Sequence, residues 1–201
     1  MISGSGKKVP EDTGTYPKSA LVTTDTEIES QSMVDYLCSC GHKRIAFITS
    51  GDEGLGRCHL NGYKRSLEKN GLEYDEKLII RLKPGKRIYT IENGYNCTCE
   101  LLKSGVDFSC IYAISDTLAV GACRAVIDSG KRVPEDYCVA GADGQDIAEY
   151  YHPSITTLKY PRVETALQSV RTLFDLIDRK KVVKRQILGG TLIERESTRK
   201  L

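Results

Sequence analysis

The sequence predicts an α/β fold built on a parallel sheet, on three observations. β-like and helical patterns alternate from about residue 20 onward, the strand candidates are short apolar runs such as Ile45-Ala46-Phe47-Ile48, and glycines stand where the helical patterns stop.

Residues 1–18 are rich in Gly, Ser, Lys and Pro and carry no apolar period, so a flexible tail is expected there. Ala20 to Thr24 is β-like. Glu27 to Cys40 sets Ile28, Val34, Leu37 and Cys38 on roughly one helical face, and Gly41 stops that helix. Arg44 to Thr49 is an apolar strand bounded by Gly51 and Gly54. Leu55 to Asn70 spaces Leu60, Tyr63 and Leu67 helically before Gly71. Lys77 to Leu82 reads as a strand, Ile91 to Lys103 as a helix ending at Gly105, Ser109 to Ile114 as a strand, and Asp116 to Ser129 as a helix ending at Gly130. Tyr137 to Ala142 is a further strand. A right-handed βαβ series of this kind gives a parallel sheet with helices on both faces, whose ligand edge is the carboxyl ends of its strands. Ser154 to Tyr160 is a β-branched crossing segment. Val163, Ala166, Leu167, Val170, Leu173, Phe174 and Ile177 then mark an amphipathic helix, and Gln186 to Ile193 closes as a last strand pair.

The composition narrows the function. With 201 residues and a 40% hydrophobic share, the chain fills one large domain or two small lobes. Lys and Arg (29) nearly balance Asp and Glu (27), so no general positive field holds it to nucleic acid or to an anionic membrane. The apolar runs are too short to cross a bilayer and Met1 to Gly6 has no signal-peptide core, so a cytoplasmic protein without membrane contact is expected. Among the eight cysteines, Cys38/Cys40 and Cys97/Cys99 form C-x-C pairs in helical stretches, where residues two apart point about 200° from each other. Such a pair is badly placed to share an ion. Cys110, Cys123 and Cys138 lie in apolar segments, so reduced, buried thiols are expected and no metal site is assigned.

Several segments, in order, resemble the sensing core of the lactose/galactose repressor family of bacterial transcriptional regulators. They are Gly41-His42-Lys43-Arg44-Ile45-Ala46-Phe47-Ile48, Asn61-Gly62-Tyr63-Lys64-Arg65-Ser66-Leu67, Ile114-Ser115-Asp116-Thr117-Leu118-Ala119-Val120-Gly121-Ala122, Val133-Pro134-Glu135-Asp136 with Val139-Ala140-Gly141-Ala142-Asp143, Pro153-Ser154-Ile155-Thr156-Thr157-Leu158, and Glu194-Arg195-Glu196-Ser197-Thr198. The resemblance implies a periplasmic-binding-protein-like fold, with two Rossmann-like lobes of parallel sheet joined by crossing strands and a small effector held between them. It further implies a complete second lobe at 42–153 and 184–198, with remnants of the first lobe at 19–41 and 160–181. The family's helix-turn-helix headpiece and the start of its first lobe have no counterpart in these residues, so operator DNA is expected to be met only through a headpiece outside them. A partial sheet leaves an unpaired edge and exposed apolar side chains, from which an oligomer or a loosely ordered first lobe is expected.

The resemblance also implies site residues. Asp143, just past a strand end, matches the family position that grips the effector, against the alternative of a loop carboxylate capping a turn with Gly144. His59 stands where the family usually has an arginine, which makes an anionic effector less suited; the alternative is a partly exposed helix histidine. Tyr89 matches a stacking aromatic, and Ser115 replaces an asparagine before Asp116, which is expected to cap the following helix. Arg162 lies where the crossing segment enters the first lobe. The family's dimer contact maps onto Leu118, Ala122, Ala125 and Val126, against the alternative of ordinary packing on the chain's own sheet.

The function that follows is the effector-sensing and dimerising part of a transcriptional regulator, taking a sugar or a nucleobase-like molecule as effector, with no cofactor. The alternative is a sugar-binding receptor of a transport system, which shares the fold but requires export. An enzyme is not expected. There is no Gly-x-Ser-x-Gly elbow, no phosphate-binding Gly-rich loop and no His-Glu-x-x-His, and His42, His59 and His152 are far apart in sequence.

Overall fold

The computed structural model describes residues 19–83, 85 and 87–201, so the tail expected at residues 1–18 lies outside the described residues. The elements are β1 (Leu21–Thr23), α1 (Thr26–Ser39), β2 (Ile45–Thr49), α2 (Gly54–Lys69), β3 (Ile79–Arg81), α3 (Ile91–Lys103), β4 (Cys110–Ala113), α4 (Asp116–Asp128), β5 (Cys138–Asp143), α5 (Asp146–Tyr150), β6 (Thr156–Lys159), α6 (Arg162–Ile177), β7 (Arg185–Ile187) and β8 (Thr191–Ile193). They fall into two compact units. One gathers the chain up to Asp25 with Tyr160–Thr191, the other Thr26–Lys159 with Leu192–Leu201.

The larger unit holds a six-stranded sheet in the order β3-β2-β4-β5-β6-β8. β2 pairs in parallel with β3 and β4, β4 with β5, and β5 with β6. All of Ile45, Ala46, Phe47 and Ile48 are buried, because a central parallel strand is covered on both faces; this is why the run is apolar throughout rather than alternating. The order reverses at β2: α2 leads outward to β3, and α3 returns past β2 to β4. Right-handed crossovers then put α2 on one face and α3 and α4 on the other. The packing agrees, with α1 against α2 and α3 against α4. Phe47 carries the core across the sheet, stacking on Tyr63 at 4.9 Å and on Tyr112 at 5.2 Å between ring centroids.

Both helix pairs meet backbone to backbone. A Cβ on Gly62 of α2 would lie 2.2 Å from the Glu27 carbonyl of α1, and one on Gly94 of α3 would lie 2.1 Å from the Leu118 carbonyl of α4. These contacts correct two expectations. The boundary expected after Gly41 lies before Thr26, because α1 is packed on α2. Within α1 the buried face is Glu29, Ser30, Met33, Val34 and Leu37, while Ile28 is 57% exposed; the slot beside Gly62 takes the small Ser30 instead.

The assembly face expected on α4 does not lie at the surface. Leu118, Ala122, Ala125 and Val126 are 0–1% exposed and belong to the chain's own core, since α4 is clamped between α3 and the strands β4 and β5. None of the four offers surface to a second copy.

In the smaller unit β1 pairs in parallel with β7, and α6 packs on β1. The closing segment therefore forms β7 and β8 in separate sheets, not as a pair with each other. The amphipathic pattern of α6 is present but faces outward. Its buried residues are Ser169 and Thr172, and a polar seam forms where Gln168 Nε2 donates to Gln186 Oε1 at 2.7 Å and Gln186 Nε2 donates to Thr172 Oγ1 at 3.0 Å. Val163, Leu167, Val170, Leu173, Phe174 and Ile177 are between 47% and 67% exposed.

All eight cysteines are free thiols, and Cys40, Cys110, Cys123 and Cys138 are buried. Among the described residues no helix is long and apolar enough to cross a membrane.

Candidate functional site

The strand order reverses at β2, and the carboxyl ends of the strands at such a reversal, here β2 and β4, are the place where open parallel sheets bind ligands. Ser115 stands there, two residues past the end of β4. It is the N-cap of α4, with extended backbone and its Oγ accepting from Leu118 N at 3.4 Å. Thr117 Oγ1 donates to the Tyr89 carbonyl at 3.2 Å and lies 2.9 Å from Ser115 Oγ, so the serine hydroxyl donates to Thr117. This short relay ties the loop before α3 to the start of α4 and brings Tyr89 and Ser115 together. It also corrects the expected cap: Ser115 fills that role, and Asp116 is the first residue of the helix.

Asp116 is fully buried and bonds away from its own helix. Its Oδ2 accepts from the Gln145 backbone N–H and its Oδ1 from Thr157 Oγ1, both at 2.6 Å. Burial pushes its carboxyl up to about 6, with nearby Asp143 adding to the rise and Thr157, Gln145 and Arg195 opposing it.

Asp143 ends β5 with φ of +104°, a backbone conformation that L residues seldom take and that Asp and Asn tolerate better than most. Gly144 follows at φ +64°, and a Cβ there would lie 2.7 Å from Lys159 Cα, so the turn is pressed onto β6. Gln145 Nε2 donates to Asp143 Oδ2 at 2.9 Å, and Gly144 N donates to Thr157 Oγ1 at 3.3 Å. The turn therefore exists as expected, but it is held by Thr157, Asp116 and Gln145, with the Asp143 carboxylate at its head.

Tyr89 is 44% exposed and lines a depression of about 640 Å³ with Gly85, Arg87, Ile88 and Thr90, leaving ring area open for stacking. His59 is not the partly exposed histidine that was the alternative reading. It is 6% exposed on the second turn of α2, where its carbonyl accepts from Ser30 Oγ at 2.8 Å, and its Nδ1 has no hydrogen-bond partner among the described residues. Burial holds its pKa down to about 4, so the imidazole is neutral near pH 7. Arg162 is the first residue of α6 and belongs to the smaller unit, whereas the other four belong to the larger one.

Sequence reasoning missed Thr157 and Gln145, and it misassigned Asp116. One signal was available: Gly141, two residues before Asp143, marks a strand position where another group comes close, and a Cβ there would lie 2.4 Å from Asp116 Oδ1.

The family of periplasmic binding protein-like domains matches residues 34–198. The HTH-type transcriptional regulator MalR of Clostridium butyricum is 33% identical, over 98% of this chain and 63% of the relative, so the chain spans less than two thirds of that relative's length. Among solved structures, a sugar-binding transcriptional regulator of the LacI family from Escherichia coli, complexed with phosphate, superposes with a TM-score of 0.85 at 29% identity, covering 98% of this chain and 67% of the other. A LacI family transcriptional regulator from Enterococcus faecium with bound ribose does so with a TM-score of 0.78 at 29% identity, covering 92% and 67%.

Proposed function

Because the chain belongs to the periplasmic-binding-protein-like domains, in the lactose/galactose repressor family, we propose that it is the effector-sensing part of a bacterial transcriptional regulator. Its effector is a small polyhydroxylated molecule, a sugar or a nucleobase-like compound, bound at the carboxyl edge of the larger unit's sheet. The observation that carries this reading is Asp143, whose carboxylate heads a turn at the end of a parallel strand with φ of +104°. Residues held in sparsely populated conformations cluster at functional sites, and a carboxylate accepts two hydroxyl hydrogen bonds well.

The chemistry of the neighbours selects among effectors. Asp143 supplies an acceptor, Ser115 lies at the same edge, and His59 is a buried neutral imidazole instead of a cation, an arrangement suited to an uncharged ligand over a phosphorylated one. Tyr89 offers a face for a ring. The relatives found are regulators, which favours this reading over a transport receptor, and nothing in the arrangement calls for catalysis. The protein works in the cytoplasm, as a homodimer through a surface other than the buried face of α4, and meets operator DNA only through a headpiece outside these residues.

A thermal-shift screen of the purified chain against ribose, other mono- and disaccharides, sugar phosphates and nucleosides tests this, since a ligand that binds only the folded state raises the melting temperature. A neutral sugar or nucleoside should give the largest shift, and the shift should vanish in Asp143→Asn. A response confined to sugar phosphates, or one indifferent to Asp143→Asn, would sink the reading.

A further inference from the structure

We infer that Asp116 is the positioning residue of the effector site: from the first turn of α4 it holds the Asp143–Gln145 turn through two bonds, one to the Gln145 backbone and one to Thr157, which in turn holds Gly144. This rests on the reading of Asp143 as an effector ligand and assigns the group that sets that ligand's direction.

The geometry runs in one line. Asp116 Oδ2 takes the Gln145 backbone N–H at 2.6 Å, on the far side of the turn. Asp116 Oδ1 takes the Thr157 hydroxyl at 2.6 Å, and Thr157 Oγ1 in turn takes Gly144 N at 3.3 Å. The two backbone N–H groups that follow Asp143 are thus anchored, one directly and one through a hydroxyl, to a single carboxylate on another element. Gln145, fixed at its backbone, then holds Asp143 Oδ2 through its amide at 2.9 Å. Space has been made for this anchor: Asp116 Oδ1 occupies the place that a side chain at residue 141 of β5 would need.

The cost of the arrangement argues for its purpose. A carboxylate that is 0% exposed loses its water, and ordinary N-capping of α4 is already done by Ser115, so helix stability does not account for Asp116. Asp143 itself adopts a backbone conformation that relaxes unless its surroundings fix it. A charged acceptor makes stronger bonds to N–H and O–H donors than a neutral one does, which suits a group that must hold a strained turn. Supporting groups of this kind keep a ligand-binding side chain in its productive direction.

The test is amide hydrogen exchange followed by NMR on the full chain, in wild type, Asp116→Ala and Asp116→Asn. In Asp116→Ala the amides of Gln145 and Gly144 should exchange about tenfold faster or more, while those of Cys110–Ala113 in the core keep their protection. Asp116→Asn, which retains one acceptor, should recover part of it. Unchanged exchange at Gln145 would overturn the inference, and so would a uniform loss that includes Cys110–Ala113, since that is merely structural. If Asp116→Ala fails to fold, Thr157→Val decides: Gly144 should be released while Gln145 stays protected, and no change at Gly144 overturns the proposal. Calorimetry with ribose and cellobiose as probes separates the two readings. A probe whose affinity falls in Asp143→Asn should lose about tenfold in Asp116→Ala and regain part in Asp116→Asn; unaltered affinity in Asp116→Ala with a loosened turn contradicts positioning. If Asp143→Asn leaves every affinity unaltered, the effector reading fails, and the exchange data alone decide whether Asp116 holds the turn.

Discussion

The missing side chain of Gly141 and the carboxylate of Asp116 occupy the same space: a Cβ on the glycine would stand 2.4 Å from Asp116 Oδ1. Gly141→Ala should therefore destabilise the larger unit by about 1–3 kcal/mol, the usual cost of overfilling a packed site. The loss should be smaller in an Asp116→Ala background, giving a coupling on the order of 1 kcal/mol in a double-mutant cycle of denaturant melts. Additive losses would mean that the two positions do not share this space.

Two buried groups give opposite pH dependences. Asp116 is raised from 3.8 to about 6 in the fold, so between those values the folded state keeps a proton that the unfolded state has lost, and stability falls as pH rises through the window. His59 is lowered from 6.5 to about 4; there the unfolded state gains a proton first, and stability falls as pH drops through that window. Relative to wild type, Asp116→Asn should gain melting temperature as pH rises from about 4 to 6, and His59→Leu should gain it as pH falls from about 6.5 to 4. Scanning calorimetry across this range reads both trends; parallel curves for either variant would contradict its burial.

Asp143→Asn should be nearly neutral for stability, because asparagine accepts a positive φ as readily as aspartate. Asp143→Ala should cost about 1 kcal/mol for the same backbone angle. Effector affinity should fall about tenfold or more in both, through loss of the charged acceptor. Melting curves with and without ligand separate the two effects.

Gly121→Ala drives a methyl to within 2.0 Å of the Ile91 carbonyl, a backbone atom with no freedom to retreat. A loss of about 3 kcal/mol or more is expected, with α3 and α4 forced apart. A thermal midpoint within a degree or so of wild type would show that the helices can separate cheaply.

Leu167→Lys and Phe174→Lys, at side chains 53% and 61% exposed, should leave the melting of the larger unit unaltered and reduce light scattering at high concentration. A lowered midpoint would show that these side chains are packed in solution.

Much of the fold was legible because the strands of a covered parallel sheet leave unmistakable apolar runs, as at Ile45–Ile48, and because glycines stand at helix ends. The carboxyl edge of the sheet followed from the topology, and Asp143 and Ser115, which the resemblance proposes as effector contacts, stand at that edge. Periodicity reports that a face is buried, however, and is silent about what covers it. Leu118, Ala122, Ala125 and Val126 have the same spacing whether they meet a second copy or the chain's own sheet, and the outward stripe of α6 reads like any inward one. Asp116 was misassigned for a related reason: its partner Thr157 lies 41 residues away, beyond the reach of any local pattern.

A helix that wears its greasy side outward has a life outside the test tube. The stripe on α6 is the kind of surface that chaperones grasp and proteases follow, so a copy of this chain with α6 uncovered is expected to be cleared faster than one whose stripe is shielded. Shielding of that stripe would then raise how much sensor is present to register an effector.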